Sequence, residues 1–481
     1  MKVEMLIAGK KIGAIAGAAF ERKDPVTGET ASIAPAARSA DVDRAVDAAS
    51  AAFAGWSQTG PGIRRTILLK AAELLEARAA DFVAVGIAET GATGPWIGFN
   101  VHLGAGILRE AAAMTTQIKG ELIPSDKPGT LAMAIRQPVG VLVGMAPWNA
   151  PVILGIRAVA MPIACGNTVV LKASEMCPRL HLMIAEVLQE AGLPDGVINV
   201  VTHSTEDAPE VVTRLIEHPK VKRINFTGST RVGKIIAETA AKHLKPVLLE
   251  LGGKAPMVIL ADADLDAAVN AAAFGAFMNQ GQICMSTERI IVEDAIAESF
   301  VVKFAAKAAS LSFGNPRDHV VLGSVIDRRT VVRLDSLIQD AIAKGATLIT
   351  GAVSDSTIMP ATVVDKVTPE MRLFFEESFG PVVCLVRAKD ADEAIDLANN
   401  SAYGLSSSIF TQDVRHGLEL AKRLEAGICH INGPTVHDEA QMPFGGVKAS
   451  GYGRFGGDAG LNEFTELRWI TIEDPKQHYP F

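Results

Sequence analysis

Three polar residues of this 481-residue chain have the types and surroundings that nucleophilic catalysis needs. Cys284 lies in a polar, glycine-rich run, which suits an accessible nucleophile better than a buried hydrophobic position. Glu250 follows the apolar run 247–249, and burial there would raise its pKa until it can act as a general base. Asn149 follows another apolar run and carries an amide that can donate to an oxyanion. Taken singly, each also has a structural interpretation: a buried thiol, a solvated loop carboxylate and an amide that caps a turn.

The residues fall within a pattern of apolar strands that alternate with helices. The predicted strands lie at residues 139–143, 168–171, 197–201, 221–226 and 247–249. Helical patterns separate them, including those at 178–191 and 230–242. Continuous apolar strands spaced in this way predict a doubly wound parallel sheet that helices cover on both faces. The carboxyl ends of parallel strands form the crevice where such sheets bind ligands, and Glu250 ends one of these strands.

Beyond residue 253, further helices and strands predict a second α/β lobe, and this lobe contains Cys284. Two other segments, 131–136 and 467–473, alternate polar and apolar residues at a period of two. Strands of this kind outside the main lobes are typical of an exposed ribbon, and such ribbons often pair across subunits.

Composition and charge argue against several classes of protein. The 46 basic and 54 acidic residues give a net charge of −8, which offers no basic surface for nucleic acid. An uncharged stretch separates Arg136 from Arg157, but its three prolines suit buried strands and turns better than a membrane span. The five cysteines are widely spaced, and no secretory pattern follows Met1, so we expect a reduced, cytoplasmic protein. The histidines show no metal-ligand spacing, and we expect no metal site.

Two glycine-rich segments are candidates for phosphate binding. Gly228-Ser-Thr-Arg-Val-Gly233 joins the strand at 221–226 to the next helix, where free N–H groups can face a phosphate, although a tight turn would also need these glycines. The segment nearly matches a Walker A loop, but Ile235 replaces the required Ser or Thr, which disfavours an ATPase. The formal GxGxxG at 451–456 follows no apolar strand, and the glycines after it discourage a helix, so we expect a loop there.

Taken together, the segments around these residues resemble the motifs of the aldehyde dehydrogenase superfamily. They occur in the order found in that family and span nearly the whole chain. The motifs are Pro147-Trp-Asn149, Lys172-Ala-Ser-Glu175, Phe226-Thr-Gly-Ser229, Glu250-Leu-Gly-Gly-Lys254, Gly281-Gln-Ile-Cys284, Glu377-Ser-Phe-Gly-Pro381 and Pro443-Phe-Gly-Gly-x-Lys448.

The resemblance implies a mechanism. Cys284 would attack an aldehyde as a thiolate, and the Asn149 amide and the Cys284 backbone N–H would hold the oxyanion. Hydride transfer to a nicotinamide would leave a thioester, which water activated by Glu250 would hydrolyse.

The same resemblance implies that NAD is the cofactor. Lys172 and Glu175 match residues that hold the adenosine ribose, and Glu175 would repel a 2′-phosphate, which favours NAD over NADP. Ala173 replaces the motif's common proline. The other cofactor-binding residues that it implies are Trp148, Gly228, Ser229, Gly233 and Leu251, with Glu377 and Phe379 at the nicotinamide ribose.

Within the family, the chain is most similar to bacterial salicylaldehyde and vanillin dehydrogenases. Segments 96–100, 224–233, 280–289 and 431–437 carry this similarity. Ala150 would leave room for a ring, Trp96 would stack on that ring, and Arg157 would face a ring hydroxyl or phenolate. Alternatively, Arg157 is a structural ion-pair partner and Trp96 packs within a helix. The expected apolar walls of the pocket are Ile283, Met285 and Phe444.

The sequence therefore predicts an α/β aldehyde dehydrogenase fold that forms a homodimer or a tetramer of two dimers. We assign residues 1–115 and 139–250 to an NAD-binding domain, 251–450 to a catalytic domain, and 116–138 and 451–481 to an oligomerisation ribbon with the C-terminal segment. We expect oxidation of an aromatic aldehyde to the acid. The alternatives are an aliphatic or semialdehyde substrate, a CoA-acylating relative, which Glu250 argues against, and an inactive binding protein, which the intact Cys284, Glu250 and Asn149 disfavour.

Overall fold

The computed structural model describes residues 1–352, 354–476 and 479–481. In chain order its helices are α1 (Ser39–Ser57), α2 (Pro61–Ala77), α3 (Ala79–Thr90), α4 (Gly94–Met114), α5 (Pro151–Ala164), α6 (Pro178–Glu190), α7 (Ala208–Glu217), α8 (Thr230–Lys242), α9 (Leu265–Phe277), α10 (Asp294–Ala309), α11 (Arg328–Ala343), α12 (Arg372–Phe375), α13 (Ala391–Asn399), α14 (Val414–Ala421) and α15 (Gly457–Phe464).

The strands are, in chain order, β1 (Met5–Ile7), β2 (Lys10–Ile12), β3 (Ala19–Lys23), β4 (Thr30–Pro35), β5 (Glu121–Ile123), β6 (Leu131–Pro138), β7 (Val141–Met145), β8 (Thr168–Lys172), β9 (Ile198–Val201), β10 (Val221–Thr227), β11 (Val247–Glu250), β12 (Ala255–Ile259), β13 (Thr287–Glu293), β14 (Thr347–Thr350), β15 (Thr362–Asp365), β16 (Val382–Ala388), β17 (Tyr403–Gly404), β18 (Ser406–Phe410), β19 (Ile428–Ile431), β20 (Val447–Lys448), β21 (Gly451–Tyr452) and β22 (Thr465–Ile472).

The first sheet has eight strands in the order β2-β1-β9-β8-β7-β10-β11-β21. Its five central strands are parallel, and β1 and β21 pair antiparallel at either side. Side chains of α2, α4, α5 and α6 pack in the core on one face, and those of α1, α7 and α8 pack in the core on the other. Helices on both faces confirm the predicted doubly wound sheet. Strands this apolar must be covered on both sides.

The strand order reverses between β7 and β10. From β7 the chain continues outward through β8 and β9, and it then returns to place β10 on the other side of β7. The loops after these two strands diverge at such a reversal and leave a crevice at the carboxyl ends. Residues 146–150 follow β7 and residues 228–229 follow β10, so the sequence around Asn149 and the glycine-rich turn both border this crevice.

The second sheet has seven strands in the order β14-β15-β16-β13-β12-β18-β19, and all neighbours except β14 and β15 are parallel. Only residues 251–254 separate β11 of the first sheet from β12 of the second. The loops before β13 and β16 therefore lie near the crevice of the first sheet, and they carry Cys284 and Glu377.

A third, antiparallel sheet is a ribbon in the order β22-β6-β5. The two segments predicted as exposed strands pair with each other over eight residues, from Leu131 opposite Ile472 to Pro138 opposite Thr465. Large apolar side chains on the ribbon face solvent, with Leu122 73% exposed and Trp469 75% exposed.

The expectation of a loop at 451–456 and no helix after it is wrong. Gly451–Tyr452 pairs with β11 at the edge of the first sheet, although we grouped it with the ribbon segment. The helix α15 begins at Gly457 despite its glycines, because Leu461 and Phe464 are buried in the core beneath the first sheet. Tertiary packing of this kind outweighs low intrinsic helix propensity.

No helix within the described ranges is both long enough and apolar enough to span a membrane.

Candidate active site

Two cavities meet at Cys284. The first, which we call the crevice cavity, has a volume of about 270 Å³ and lies at the carboxyl ends of β7, β10 and β11. The second, the apolar cavity, has a volume of about 430 Å³ and lies among α4, α5 and the loop that carries Cys284. Cys284, Asn149 and Leu154 line both cavities. A molecule in either cavity can therefore reach the Cys284 thiol.

Buried amide side chains hold the loop that carries Cys284. Asn279 and Gln280 adopt left-handed backbone angles (φ 49° and 55°), which side-chain-bearing residues adopt only when their surroundings impose them. Asn279 Nδ2 donates to the Asn149 carbonyl at 2.9 Å, and Gln280 Nε2 donates to the Ser324 carbonyl at 3.0 Å. Gln282 Oε1 accepts the Ile326 N–H at 2.9 Å. This network fixes the backbone on which the thiol is carried.

As a residue Cys284 is partly exposed, unlike Cys165, Cys177 and Cys384, which are buried. Its pKa is raised well above the usual value, chiefly by desolvation and then by the neighbouring Glu250 carboxylate, whereas Arg157 opposes the rise. Cys284 therefore rests as a thiol, and a base must take its proton before it can act as a nucleophile.

Glu250 is only 1% exposed, and apart from the neighbouring Cys284 thiol its carboxylate oxygens have no hydrogen-bond partner among the described residues. Burial raises the pKa of Glu250 to about 8, while the Cys284 thiol and Arg157 lower it and Glu377 raises it. The solvated-loop interpretation of Glu250 is therefore wrong: the residue pairs within β11 and lies at the end of that strand, inside the crevice. A carboxylate with this pKa can accept and return a proton near neutral pH.

Asn149 is buried, and its side chain lies beside Cys284. One Nδ2–H donates to the Gln282 carbonyl at 2.9 Å, and the backbone carbonyl of Asn149 accepts from Trp96 Nε1 at 2.9 Å. A primary amide has a second N–H, and both cavities are open to this residue. The backbone N–H of Cys284 donates to no acceptor in the described part of the chain. These two N–H groups are available to an oxygen bound next to the thiol.

The crevice cavity brings together many of the residues that sequence reasoning assigned to a cofactor. Its lining includes Trp148, Gly228, Ser229, Leu251, Glu377 and Phe379. Ser229 caps α8 by accepting the Val232 N–H, so the first turn of this helix points its free N–H groups at the cavity rim. Gly233 is buried in that turn, where a Cβ would lie 2.5 Å from a Leu251 methyl carbon.

Lys172 and Glu175 lie elsewhere, just beyond the rim. Lys172 is the last residue of β8 and Glu175 follows that strand, and Glu175 lines a separate open cleft with Arg22, Met176 and Thr205. Burial lowers the pKa of Lys172, and the neighbouring Glu175 opposes this. The structure therefore places the two residues together at the carboxyl end of β8, the strand next to β7, whose end borders the crevice cavity.

All six residues predicted for the substrate pocket line the apolar cavity: Trp96, Ala150, Arg157, Ile283, Met285 and Phe444. The indole of Trp96 stacks on Phe99 at 5.7 Å between ring centroids. The small side chain of Ala150 leaves space in the cavity that a larger side chain at this position would occupy. The cavity thus has the size and lining of a site for a planar apolar molecule.

A model of the aldehyde dehydrogenase family matches residues 14–470. The chain belongs to the aldehyde dehydrogenase family. The predicted family, fold class and enzyme class are thereby confirmed.

Known members resemble this aldehyde dehydrogenase over its full length. The vanillin dehydrogenase of Pseudomonas sp. strain HR199 is 59% identical over 479 residues, which cover 99% of each chain. The crystal structure of a salicylaldehyde dehydrogenase from Pseudomonas putida G7, complexed with salicylaldehyde, is 47% identical and covers 100% of both chains with a TM-score of 0.99. An NADP-dependent glyceraldehyde-3-phosphate dehydrogenase from Bacillus halodurans C-125, complexed with NADP, is 34% identical and covers 98% of this chain and 99% of its own with a TM-score of 0.94.

Members of this family use a nicotinamide cofactor, and the donor and acceptor groups of the crevice cavity suit one. The free N–H groups of α8 can bind a pyrophosphate, and the Glu377 carboxylate can accept from ribose hydroxyls. Trp148 and Phe379 lie edge to face, with 5.7 Å between their ring centroids. Within the described ranges, no group of three or more His, Cys, Asp or Glu side chains is placed to hold a metal ion.

Sequence reasoning missed the residues that hold Glu377 and Phe379 in this aldehyde dehydrogenase. Glu288 accepts the Ser378 N–H at 2.7 Å and the Phe379 N–H at 3.0 Å, and its own charge is paired with buried Lys254 at 2.5 Å. Gly253 N–H donates to Glu377 at 2.8 Å. Lys254 lies in the motif that begins at Glu250, and Glu288 lies in the segment 280–289. The sequence does not show that these two residues pair, so it does not reveal their role.

Arg157 forms the ion pair that the sequence allowed as one interpretation, and it also lies at the wall of the cavity, as the other interpretation requires. It lines the apolar cavity, and its Nη2 also donates to Asp438 Oδ2 at 2.6 Å in a buried ion pair. Its guanidinium lies over the Phe444 ring at 4.4 Å. Asp438 was not predicted, although it directly follows the segment 431–437. Phe99 was also missed, although it is three residues from Trp96 on α4, a spacing that places both side chains on one helix face.

Proposed function

We propose that this enzyme oxidises an aromatic aldehyde, of the salicylaldehyde, vanillin or hydroxybenzaldehyde type, to the carboxylic acid with NAD. The observation that carries the proposal is the position of Cys284 at the junction of the apolar cavity and the crevice cavity. A ring in the apolar cavity would present its carbonyl carbon to the thiol, and the crevice cavity, which Cys284 also lines, would hold a nicotinamide. The names of the similar vanillin and salicylaldehyde dehydrogenases support this substrate class.

The first step is addition of the Cys284 thiolate to the aldehyde carbon. Glu250 interacts with the thiol and is the base best placed to take its proton. The carbonyl oxygen gains a negative charge as the C–S bond forms, and the Asn149 amide and the Cys284 N–H would donate to it. Asn149 is held for this role by Trp96 and Asn279, which both donate to its backbone carbonyl.

Residues of the crevice cavity, among them Glu377 and Phe379, would hold a nicotinamide, which would supply a hydride acceptor for the former aldehyde carbon. The thioester that remains on Cys284 needs water for its hydrolysis, and Glu250 is the general base we assign to that water. Its proton passes to the carboxylate as the C–S bond breaks, and the Cys284 thiolate is restored. Before this step Glu250 must release to solvent the proton that it took from the thiol, and it releases the proton from water afterwards. Its pKa of about 8 allows both releases near neutral pH.

The preference for NAD over NADP rests on Glu175. Burial would raise the pKa of this carboxyl group, but Lys172 and other neighbours bring it below the usual value, so Glu175 is ionised. An ionised carboxylate beside the ribose would accept from its hydroxyls and repel a 2′-phosphate. A 34% identical relative is NADP-dependent, so the choice between NAD and NADP varies among similar folds and depends on individual residues such as Glu175.

We further propose that the ribbon joins copies of the chain into a dimer or a tetramer, with residues 1–115 and 139–250 as the cofactor domain and 251–450 as the catalytic domain. The exposed apolar side chains of Leu467 and Trp469, which share one face of the ribbon, support self-association, since monomers rarely leave such groups together in water. All five cysteines are free, which supports a reducing, cytoplasmic location.

A substrate panel tests the proposal. NADH formation is followed by absorbance with salicylaldehyde, vanillin, benzaldehyde and acetaldehyde, each with and without CoA, and with NADP in place of NAD. We expect the aromatic aldehydes to give the highest kcat/KM without CoA. A clear preference for acetaldehyde, or a strict need for CoA, would overturn the proposed reaction. No turnover with any aldehyde would favour an inactive family member.

A further inference from the structure

The apolar cavity contains one buried ion pair. Among the residues that line it, all within the described ranges, Arg157 and Asp438 are the two with a permanent charge. Their side chains are 6% and 8% exposed, and Arg157 Nη2 lies 2.6 Å from Asp438 Oδ2. Phe444 and Phe455 flank the guanidinium, with their ring centroids 4.4 Å and 5.8 Å from its central carbon. The guanidinium is therefore fixed in one position at the cavity wall.

The pair uses only part of its hydrogen-bonding capacity. Asp438 Oδ1 is buried and has no partner in the described part of the chain. Nε and Nη1 of Arg157 donate to no described acceptor, and Arg157 lines the apolar cavity. A guanidinium has five N–H donors, so those left over are free to meet a ligand.

Stability alone does not account for this arrangement. Taking two charges out of water costs several kcal/mol per ion, and well-packed apolar residues of similar volume are often as stable or more so. The unpaired Oδ1 adds to that cost. A pair that costs folding free energy at the wall of a substrate cavity is best explained by what it does to the substrate.

We propose that Asp438 is a specificity-determining positioning residue, which holds the Arg157 guanidinium through Oδ2 and cancels its charge. The remaining N–H donors then bind a neutral ring oxygen, hydroxyl or methoxy, while an aldehyde that carries a carboxylate gains no net attraction and loses its hydration. This inference rests on the proposed aromatic substrate class. It assigns the exclusion of anionic aldehydes to Asp438 and the binding of ring oxygens to Arg157.

The test is Asp438→Asn, which keeps an oxygen acceptor for Arg157 and removes the negative charge. kcat/KM is measured for benzaldehyde, the three methoxybenzaldehydes and the three formylbenzoates. We expect the ratio of the best formylbenzoate to benzaldehyde to rise about tenfold or more, because an uncompensated positive charge then lies in a buried wall. A merely structural role would lower both rates and leave the ratio unchanged. An unchanged or reduced ratio therefore overturns the inference.

Two further variants separate charge from packing. The double variant Arg157→Met with Asp438→Leu removes both charges, and we expect its formylbenzoate ratio to stay near that of the wild type while its preference for methoxybenzaldehydes over benzaldehyde is lost. Asp392→Asn breaks an exposed ion pair with Arg423 (2.6 Å) and should change neither ratio. If Asp438→Asn does not fold, Asp438→Ser provides the same test with a smaller side chain.

The wild-type panel separates this inference from the proposed function. If the wild type oxidises no benzaldehyde, the proposed substrate class fails, and the inference fails with it. If the wild type is active and discriminates against formylbenzoates, but the Asp438 variants discriminate equally well, only the role of Asp438 is refuted.

Discussion

Replacing Glu250 by glutamine removes the proposed base while keeping its size and burial. The only interaction of its carboxylate that the change would alter directly is the one with the Cys284 thiol, because the two oxygens accept from no other described donor. A change in activity would therefore report on the missing charge and proton rather than on a broken network. The variant separates the two halves of the reaction, since solvent can also take the Cys284 proton before hydride transfer, whereas release of the acid needs Glu250 to activate water.

The magnitude follows from the pKa of about 8 that burial gives Glu250. About one tenth of this carboxyl group is ionised at pH 7 and half at pH 8. When hydrolysis of the thioester limits turnover, the steady-state rate of the wild type should rise about fivefold over that interval. The rate rises with pH because the raised pKa keeps Glu250 protonated, and therefore inactive as a base, at lower pH.

In the glutamine variant we expect a burst of one equivalent of NADH per active site, formed as solvent takes the Cys284 proton, followed by a steady state that is about 10²-fold to 10⁴-fold slower than that of the wild type. Glu250 is also one of the groups that raise the pKa of Cys284. Its loss should therefore shift the pH midpoint of the burst downward, while burial still keeps the thiol pKa above its usual value.

Stopped-flow absorbance of NADH from about pH 6 to about pH 9 measures the burst and the steady state together. A suitable control is Glu463→Gln, because burial also raises the pKa of Glu463, which lines neither cavity. That control should keep the steady-state rise with pH. Wild-type turnover by Glu250→Gln, or a wild-type rate that does not change around pH 8, would refute the reasoning.

Three more changes test the cavities and the cofactor site. Ala150→Phe places a ring in the cavity of about 430 Å³ and should lower kcat/KM for benzaldehyde about tenfold or more without a similar loss for acetaldehyde; equal losses would contradict the pocket assignment. Glu175→Gln should raise the NADP-to-NAD ratio of kcat/KM about tenfold, and an unchanged ratio would remove Glu175 from cofactor choice. Gly233→Val puts a Cβ 2.5 Å from Leu251, so thermal unfolding should show that the free energy of unfolding falls by about 1–3 kcal/mol. Gly55→Ala, with open space around it, should not lower the free energy of unfolding.

The parts of the fold that sequence predicted are those set by local pattern. The apolar runs that became β7, β8, β10 and β11 had to lie in a covered parallel sheet, and the alternating segments had to lie where one face meets water. The helix α15 was missed because its stability comes from burying Leu461 and Phe464 against other elements, which no local propensity reports.

The candidate site was predicted where single residues carry the chemistry and missed where pairs do. Cys284, Glu250 and Asn149 have recognisable motifs, and the structure brings them to one junction. Asp438 and Glu288 act through partners that are 281 and 34 residues away in the chain, Arg157 and Lys254 respectively, and their contacts exist only in the folded protein. The burial that raises the pKa of Glu250 is likewise a property of the packed crevice and not of its motif.

The central claim is that Cys284 is the nucleophile that carries an aromatic acyl group between the two cavities. The Glu250→Gln variant should accumulate that intermediate, so it is incubated with benzaldehyde and NAD, quenched with acid and analysed by peptide mass spectrometry. We predict a mass increase of one benzoyl group on the peptide that contains Cys284, dependent on NAD and absent from Cys284→Ser. Absence of the adduct while NADH forms, or its appearance on Cys429, the other partly exposed thiol, would contradict the account.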